Sequence, residues 1–534
     1  MSAAAAPLVW SVAGSDSGGG AGLQADLRAF DAFGLHGCTA VAALTAQNSV
    51  AVERIEAVDP SMLDAQLAAL AHDMPPAAIK LGMLGSAANA AVVAGWVDRL
   101  RARDPDLALV VDPVLRASTG ASFAGESLMR AYRELLLPRA TLLTPNRAEA
   151  QALLGGELRV DGLAGACRAA RRLRAAGAGA VVVTGGDDGG ADSVDWLDSA
   201  LAEGALGLPR VATQHNHGTG CVFAASAAAA LALGFAAPDA AVLAKMATTR
   251  ALQHAGPAGA GAGPVRPREG FALAPGGLPT LHAPGMGWPQ GPFAALAQPA
   301  MGLYAVVDSA AWVQRVLEAG VRTVQLRIKQ GDAQALRQQV RESVAAARAA
   351  GAQLFINDHW QLAMEEGAYG VHLGQEDLAG ADLPALQAAG LRLGISTHAP
   401  WEVARALALQ PSYLACGPVH ATNAKAMPWR PQGEGNLRWW CSVLDRPVVA
   451  IGGIDAPRAE AAARCGAAGV AVIRAVTGAG DTAGVVAALQ QAIARGAAQH
   501  PPAPPLLPRS TLSPRAARAH GLPGMTATTT PGSD

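Results

Sequence analysis

Short runs of apolar residues recur along the chain. Each ends in glycine or a polar side chain, and most are followed by a stretch with helical spacing. In the first half the runs are Leu8 to Ala13, Cys38 to Leu44, Ala78 to Leu84, Leu107 to Val111, Thr141 to Leu143 and Ala180 to Val183. Such short, near-continuous runs predict buried strands, and Leu23, Leu27 and Phe30, like Met62 to Leu70, carry the spacing of intervening helices. The alternation predicts an α/β fold with a mostly parallel, doubly wound sheet. Eight further runs follow: Leu303 to Val307, Thr323 to Ile328, Gln353 to Ile356, Gly370 to Leu373, Arg392 to Ile395, Tyr413 to Cys416, Pro447 to Ile451 and Gly469 to Ile473. Eight strand–helix units in a row predict a (β/α)8 TIM barrel. Gly-Pro-Ala sequence from Ala255 to about Ala300 reads as the end of the first domain and then a linker. The Pro/Ala/Thr-rich end reads as a disordered tail. The expected division is therefore 1–267, 268–300, 301–497 and 498–534.

Composition narrows the classes. With 534 residues, 51% hydrophobic and 16% charged, the chain predicts a globular protein of at least two domains. A net charge of −1 and 4% aromatic residues argue against a nucleic-acid partner. The six cysteines form no C-x-x-C pair, so reduced thiols in a cytoplasmic protein are expected rather than disulfides or zinc. Met1 to Pro7 lacks a basic n-region, and no signal peptide is expected. The long apolar run Cys221 to Ala237 is alanine-dominated and follows a glycine turn, which predicts a buried helix and no membrane span.

The chemistry centres on His217-Gly218-Thr219-Gly220-Cys221, which precedes that helix. Free N–H groups and the helix dipole favour an anion there, and glycines at 218 and 220 permit close approach and positive φ. The bland alternative is a glycine turn before a core helix. Asp112 ends a strand, and Glu149 follows Asn146 by three residues. Magnesium accepts one or two carboxylates beside phosphates, whereas a lone Asn-x-x-Glu more often complements a helix dipole. In the second half nearly every strand run ends in a charged, polar or glycine residue. Gln325, Arg327 and Lys329 share one strand face and suit a pyrophosphate. Asp358 and Asp377 end neighbouring strands and could share one magnesium. His398 and Arg474 read as solvated loop residues.

In order along the first half, Ala13-Gly14-Ser15-Asp16-Ser17-Gly18-Gly19-Gly20-Ala21-Gly22, Gln47-Asn48, Lys80-Leu81-Gly82-Met83-Leu84, Asp112-Pro113-Val114, Thr144-Pro145-Asn146-x-x-Glu149 and the His217 pentapeptide resemble hydroxymethylpyrimidine/phosphomethylpyrimidine kinase, a ribokinase-like family. The resemblance implies ATP as co-substrate. It puts Asp26, Gln47, Met83 and Val114 around the pyrimidine, Asn146, Thr219 and Lys245 at the nucleotide, and Asp112 and Glu149 on Mg2+. Cys221 stands where many members carry an aspartate base, and a thiolate there would be favoured by the helix N-terminus. Thr184 replaces a lysine common in the family.

In the second half, Gln325-Leu326-Arg327-Ile328-Lys329, Ile356-Asn357-Asp358, His372-Leu373-Gly374-Gln375-Glu376-Asp377, Gly394-Ile395-Ser396, Gly417-Pro418-Val419-x-x-Thr422-x-x-Lys425 and Ala450-Ile451-Gly452-Gly453-Ile454 resemble thiamin phosphate synthase. The resemblance implies that Gln325, Arg327, Lys329, Asn357 and Lys425 hold a pyrimidine pyrophosphate and that Asp358 and Asp377 bind Mg2+. Ser396 would assist at the pyrimidine or leaving group, and Thr422 with Gly453 would meet a thiazole phosphate. Ala424 and His420-Ala421 depart from the family pattern. Together the halves imply a bifunctional thiamin-biosynthesis enzyme taking small-molecule substrates, with homo-oligomerisation possible. Two alternatives stay open: a vitamin B6 kinase in the first half, and a non-catalytic thiazole-phosphate or thiamin-phosphate binding barrel in the second.

Overall fold

The computed structural model describes residues 6–115, 125–186, 189–329, 331–422 and 428–512. They form two compact units, one running to Ala283 and the other spanning Pro284–Thr511.

The first unit is built on one sheet. Its strands are β1 (Leu8–Asp16), β2 (His36–Gln47), β3 (Val52–Ala57), β4 (Ala78–Leu81), β5 (Ala108–Val111), β6 (Leu142–Leu143), β7 (Ala180–Val183), β8 (Asp192–Ser199), β9 (Glu203–Pro209) and β10 (Thr280–His282). The order is β10-β9-β8-β7-β6-β5-β4-β1-β2-β3. The strands from β2 to β7 are parallel to their neighbours, and the four strands outside them are antiparallel additions. Period-two alternation divides the central strands between two faces. Trp10, Val12, Ile79, Leu81, Leu109, Val111, Val181 and Val183 enter a large apolar core with Val93, Val97, Ala169 and Leu173 of the helices Ala87–Arg101 and Gly162–Ala175. Ser11 and Lys80 point to the other face, against the helix Gly22–Ala32.

The second unit is a closed, all-parallel barrel. Its strands are β11 (Gly302–Val307), β12 (Thr323–Leu326), β13 (Gln353–Asn357), β14 (Gly370–Leu373), β15 (Arg392–Thr397), β16 (Tyr413–Cys416), β17 (Val448–Ile451) and β18 (Gly469–Val472). The lumen is filled by Tyr304, Val306, Phe355, Tyr413, Ala415, Val449 and Ala471. The rings of Tyr304, Phe355 and Tyr413 meet at centroid distances of 5.0–6.1 Å, mostly edge to face.

The stretch expected as a linker, 268–300, instead carries structure in both units. Phe271 packs against Phe33 with ring centroids 4.7 Å apart, and β10 pairs with β9. Further on, Phe293 N–H donates to the Gln410 carbonyl at 3.0 Å. The Ser412 hydroxyl donates to Ala294 O at 2.7 Å, and Ala297 N–H to the Tyr369 hydroxyl at 2.7 Å. Gln298 and Gln353 exchange a pair of bonds, and Leu296 joins the lumen core. The segment closes the amino end of the barrel. Sparse anchors (Phe271, Leu281, Phe293, Leu296) do the packing, and glycine and proline between them mask it in composition. The expected tail also begins with docked chain. Arg509 exchanges backbone bonds with the Asn436 amide, and Thr511 Oγ1 donates to His398 O at 2.7 Å. Residues 513–534 lie outside the described residues.

One glycine decides the lumen packing. Gly394 pairs laterally with both His372 and Tyr413, and a Cβ on it would stand 2.1 Å from Tyr413 Cζ. We expect Gly394→Ala to lower the melting transition of the barrel unit and abolish its activity. The first unit's transition should stay in place, as differential scanning calorimetry would record.

Candidate functional site

In the first unit a cleft of about 690 Å³ opens at the carboxyl ends of the central strands. Such sheets bind ligands there because loops diverge beyond the strand ends. The cleft is lined by Gln47, Met83, Asp112, Val114, Asn146, Glu149, Gly218, Thr219, Gly220, Cys221 and Lys245, so eleven of the twelve residues singled out for this half come together. Asp26 does not line it. It is sealed beneath the floor, where the Ser11 hydroxyl donates to it at 2.5 Å and Lys80 Nζ lies 3.0 Å from both its oxygens.

The helix Thr219–Ala232 starts two residues earlier than the glycine spacing suggests, with Gly218 as its N-cap at φ 85°. A Cβ on Gly218 would stand 2.1 Å from Gly20 O, so glycine is required for both conformation and space. Gly220 lies in the first helical turn and needs no special φ, and a Cβ there would meet only open space. The bare first turn therefore faces the cleft. The glycine-rich loop opposite is tied down by Asp16, which accepts from the N–H groups of Gly18, Gly20 and Ala21 and lies 3.0 Å from His217 Nε2. Burial pushes the Asp16 carboxyl up, but His217 and these N–H groups outweigh it and hold the pKa below the ordinary value.

Below the helix sits a buried ion cluster. Lys80, fully buried, contacts Asp26 at 3.0 Å and Asp112 at 3.6 Å. Burial opposes its charge, yet Asp26 and Asp112 hold its pKa above the usual lysine value. Asp112 is pushed up to about 6, by burial first, with Lys80 opposing and Asp26 adding. Cys221 is pushed up to about 12: burial dominates, Lys80 opposes it, and the two carboxylates reinforce it. At that pKa the neutral thiol is favoured at Cys221, against the expected thiolate. Lys80 was not singled out as a site residue, although a lysine inside a four-residue buried strand is itself a signal.

Asn146 and Glu149 make a reciprocal capping box. Asn146 Oδ1 accepts from Glu149 N–H, and Glu149 Oε2 accepts from Asn146 N–H, both at 2.9 Å. The dipole reading of Glu149 thus holds, and the same geometry turns its carboxylate into the cleft wall. Lys245 Nζ donates to Asp195 Oδ2 at 2.8 Å and to the Ser193 hydroxyl at 3.0 Å.

In the barrel, a cavity of about 430 Å³ at the strand ends is lined by Asp308, Arg327, Lys329 and Thr477, among others. Asp358 adopts φ 62°, a backbone state rare outside glycine and asparagine or aspartate. Its carboxyl lies within hydrogen-bonding reach of Asp377. Burial and then Asp377 push its pKa up, against Arg327. Gln325 and Asn357 are buried at the same end, and the Gln325 amide donates to Tyr304 OH at 3.2 Å. Ser396 Oγ is 2.9 Å from His372 Nε2. Gly453, at φ 64°, lies against the Ala421 carbonyl. Thr422 is half-buried. Lys425 and Ala424 lie outside the described residues. His398 is no solvated loop residue: Nδ1 lies 2.8 Å from Glu402, and the ring stacks on Trp429 at 5.2 Å. Arg474 is exposed.

The family model for phosphomethylpyrimidine kinase matches residues 16–266, and that for thiamine monophosphate synthase matches 303–476. Across both, the chain is 34% identical over 485 residues to "Thiamine biosynthetic bifunctional enzyme TH1, chloroplastic" of Arabidopsis thaliana, covering 88% of this chain and 90% of that protein. The chain belongs to the bifunctional thiamine-biosynthetic enzymes. Its kinase domain precedes its thiamine-phosphate synthase domain. The synthase half is also 53% identical over 182 residues to the thiamine-phosphate synthase of Salmonella newport, covering 34% of this chain and 86% of that one. A Staphylococcus aureus pyridoxal kinase solved with AMP-PCP and pyridoxal is similar over 49% of this chain and 93% of its own, at 29% identity and TM-score 0.45. Among the described residues of this bifunctional enzyme, no helix is long and apolar enough to cross a membrane.

Two outcomes test this description of the kinase half. Lys80→Met leaves Asp26 and Asp112 buried without their cation. It should destabilise the N-terminal unit by about 3–5 kcal/mol, read from its denaturant midpoint, with part recovered by adding Asp26→Asn. At pH 8, Cys221 should react with iodoacetamide on the order of a thousandfold more slowly than free cysteine. Peptide mapping that finds Cys221 modified as fast as free cysteine would refute the neutral thiol.

Proposed function

We propose that the N-terminal cleft transfers phosphoryl groups from ATP, first to the alcohol of hydroxymethylpyrimidine and then to its monophosphate. The barrel joins the resulting pyrophosphate to thiazole phosphate. The observation that carries the kinase assignment is the meeting, in one cleft, of the open Thr219–Ala232 helix N-terminus with Asp112. Asp112 lines the cleft, and its buried Oδ2 faces Lys80 Nζ at 3.6 Å, beyond hydrogen-bond distance. A carboxylate oxygen held only by a long ion pair keeps capacity for a second cation on the cleft side. Mg2+ keeps water and phosphate oxygens as ligands, so two carboxylates suffice at each site. Asp112 and Glu149 would hold it in the kinase, and Asp358 with Asp377 in the synthase. Bound there, Mg2+ supplies charge neutralisation on the phosphate oxygens.

The residues themselves divide the remaining work. The N–H groups of Gly220 and Cys221 receive the transferring phosphoryl oxygens, an arrangement that stabilises charge without a mobile side chain. With a neutral thiol, Cys221 acts as a hydrogen-bonding wall rather than a ready-made base. The phosphate accepting the second transfer is already ionised near neutral pH and needs no base. Gln47 offers both donor and acceptor to an aminopyrimidine, with Met83 and Val114 packing around it. Asn146, Thr219 and Lys245 attend the nucleotide, and Asp26 acts from beneath through Lys80. In the barrel, Arg327 and Lys329, with Gln325, Asn357 and Lys425, take the pyrophosphate. Thr422 and Gly453 receive the thiazole phosphate. Cleavage of the methylene–oxygen bond leaves its electron pair on the pyrophosphate, and the thiazole nitrogen's lone pair closes the new C–N bond.

The free thiols support a reducing, cytoplasmic setting. Leu44 and Val50, about half exposed along and beside the β2–β3 edge, support a homo-oligomer. Light scattering would test that point.

The function is tested in one pot with hydroxymethylpyrimidine, thiazole phosphate, ATP and Mg2+. Wild-type chain should yield thiamine phosphate. Asp358→Asn should accumulate pyrimidine pyrophosphate with coupling reduced about a hundredfold or more. Asp112→Asn should make neither product, yet couple normally when given pyrimidine pyrophosphate. Glu149→Gln keeps an acceptor for the cap. It should therefore shift stability by less than about 0.5 kcal/mol while cutting kinase kcat at least about tenfold. Unchanged kcat would leave Glu149 a cap alone.

A further inference from the structure

A chain of hydrogen bonds crosses the barrel lumen. The Gln325 amide donates to Tyr304 OH at 3.2 Å, Tyr304 OH and Tyr413 OH are 2.8 Å apart, Tyr413 OH is 2.7 Å from His372 Nδ1, and His372 Nε2 is 2.9 Å from Ser396 Oγ. The five members sit on five different strands, β11, β12, β14, β15 and β16, around one lumen. Gly394, standing between His372 and Tyr413 in the lateral register, leaves the space through which the tyrosine ring passes. The imidazole lies against that ring at a centroid distance of 5.7 Å and an interplanar angle of 28°.

The direction of the chain follows from its first member. An amide nitrogen can only donate, so Tyr304 O accepts from Gln325. Tyr304 then has one proton, and Tyr413 O is the acceptor in reach among the described residues. Tyr413 must therefore pass its own proton to His372 Nδ1. A histidine that accepts at Nδ1 and is neutral carries its hydrogen on Nε2, and that hydrogen points at Ser396 Oγ. The reverse order would aim two donors at Tyr304 and leave its buried hydroxyl proton without an acceptor, a cost of about 1–3 kcal/mol. Neutrality follows from the same geometry, because a ring that accepts the Tyr413 proton at Nδ1 is not an imidazolium.

We propose that this one-way chain, Gln325 to Tyr304 to Tyr413 to His372 to Ser396, fixes His372 as its Nε2–H tautomer and so turns the Ser396 hydroxyl proton outward, as a hydrogen-bond donor to the leaving pyrophosphate. His372 and Tyr413 are then positioning residues of the coupling reaction. Ser396 is half-buried at the carboxyl end of β15, and His372 is its Oγ's hydrogen-bond partner among the described residues. With its lone pair engaged by His372, Ser396 keeps its own proton for the oxygen on which charge develops as the methylene–oxygen bond breaks. Ser396 donates a hydrogen bond and is not deprotonated. In the opposite tautomer its proton would be spent on His372 Nε2 and the leaving group would face lone pairs. The inference rests on the reading of Ser396 as a leaving-group contact.

The test separates the two. Nitrogen NMR of full-length, histidine-labelled chain, with the His372 signal assigned by its loss in His372→Asn, reads the tautomer without substrate. The expected result is a neutral ring protonated at Nε2, with the proton redistributed between the nitrogens in Tyr413→Phe, a variant that retains the ring packing. Coupling kcat in Tyr413→Phe should fall about tenfold, with KM for pyrimidine pyrophosphate changed less than about twofold and kinase activity intact. Ser396→Ala should lose at least as much kcat. A wild-type ring protonated at Nδ1, or unchanged kcat in Tyr413→Phe, overturns the directed chain itself. An Nε2-protonated ring with full activity in Ser396→Ala overturns the leaving-group role while leaving the tautomer in place.

Discussion

A parallel sheet has a single carboxyl edge, and every strand delivers its next residue there. Both units of this chain are built on that constraint. In the first, strands β2 to β7 end on one side, so Gln47, Asp112 and Asn146 reach one cleft from three separate strands. In the second, closure of the barrel gathers Arg327, Asp358 and Asp377 at one mouth. Short apolar runs thus do two jobs at once. They bury their own side chains, and they aim whatever follows them at a ligand.

Beneath each mouth lies a second, largely buried polar layer that sets how the first behaves. In the kinase it is ionic. Lys80 holds Asp26 and Asp112 in register, and burial pushes the Cys221 thiol up. In the synthase it is neutral, a hydroxyl–imidazole relay with no net charge. Buried charges demand partners on removal of any one member, whereas a neutral relay is sensitive to the direction of its protons.

Much of this was legible in the sequence. All eight barrel strands fall within a few residues of the apolar runs, because each is buried on both faces and reads as an uninterrupted stretch. The antiparallel strands β3 and β8 to β10 were not legible. Sequences such as Asp192 to Ser199 mix charge and apolar residues and earn strand geometry only from their neighbours. Most of the cleft-lining residues could be named because they directly follow strands. Asp26 was misplaced by one layer, since nothing local says whether a helical aspartate faces the ligand or a lysine beneath it. The tyrosine–histidine relay was invisible for a related reason. Which lumen side chains meet depends on the stagger between strands far apart in the chain.

The chain between Phe293 and Gln298 seals the floor of the barrel, although its composition marks it as a spacer. The catalytic boundary of the synthase therefore lies near its first strand, and its mechanical boundary lies upstream, inside what composition calls a hinge. Any rearrangement that moves this module intact, by recombination or by design, has to carry part of the spacer with it. A break at the first strand would export the active residues without the base on which their scaffold is closed.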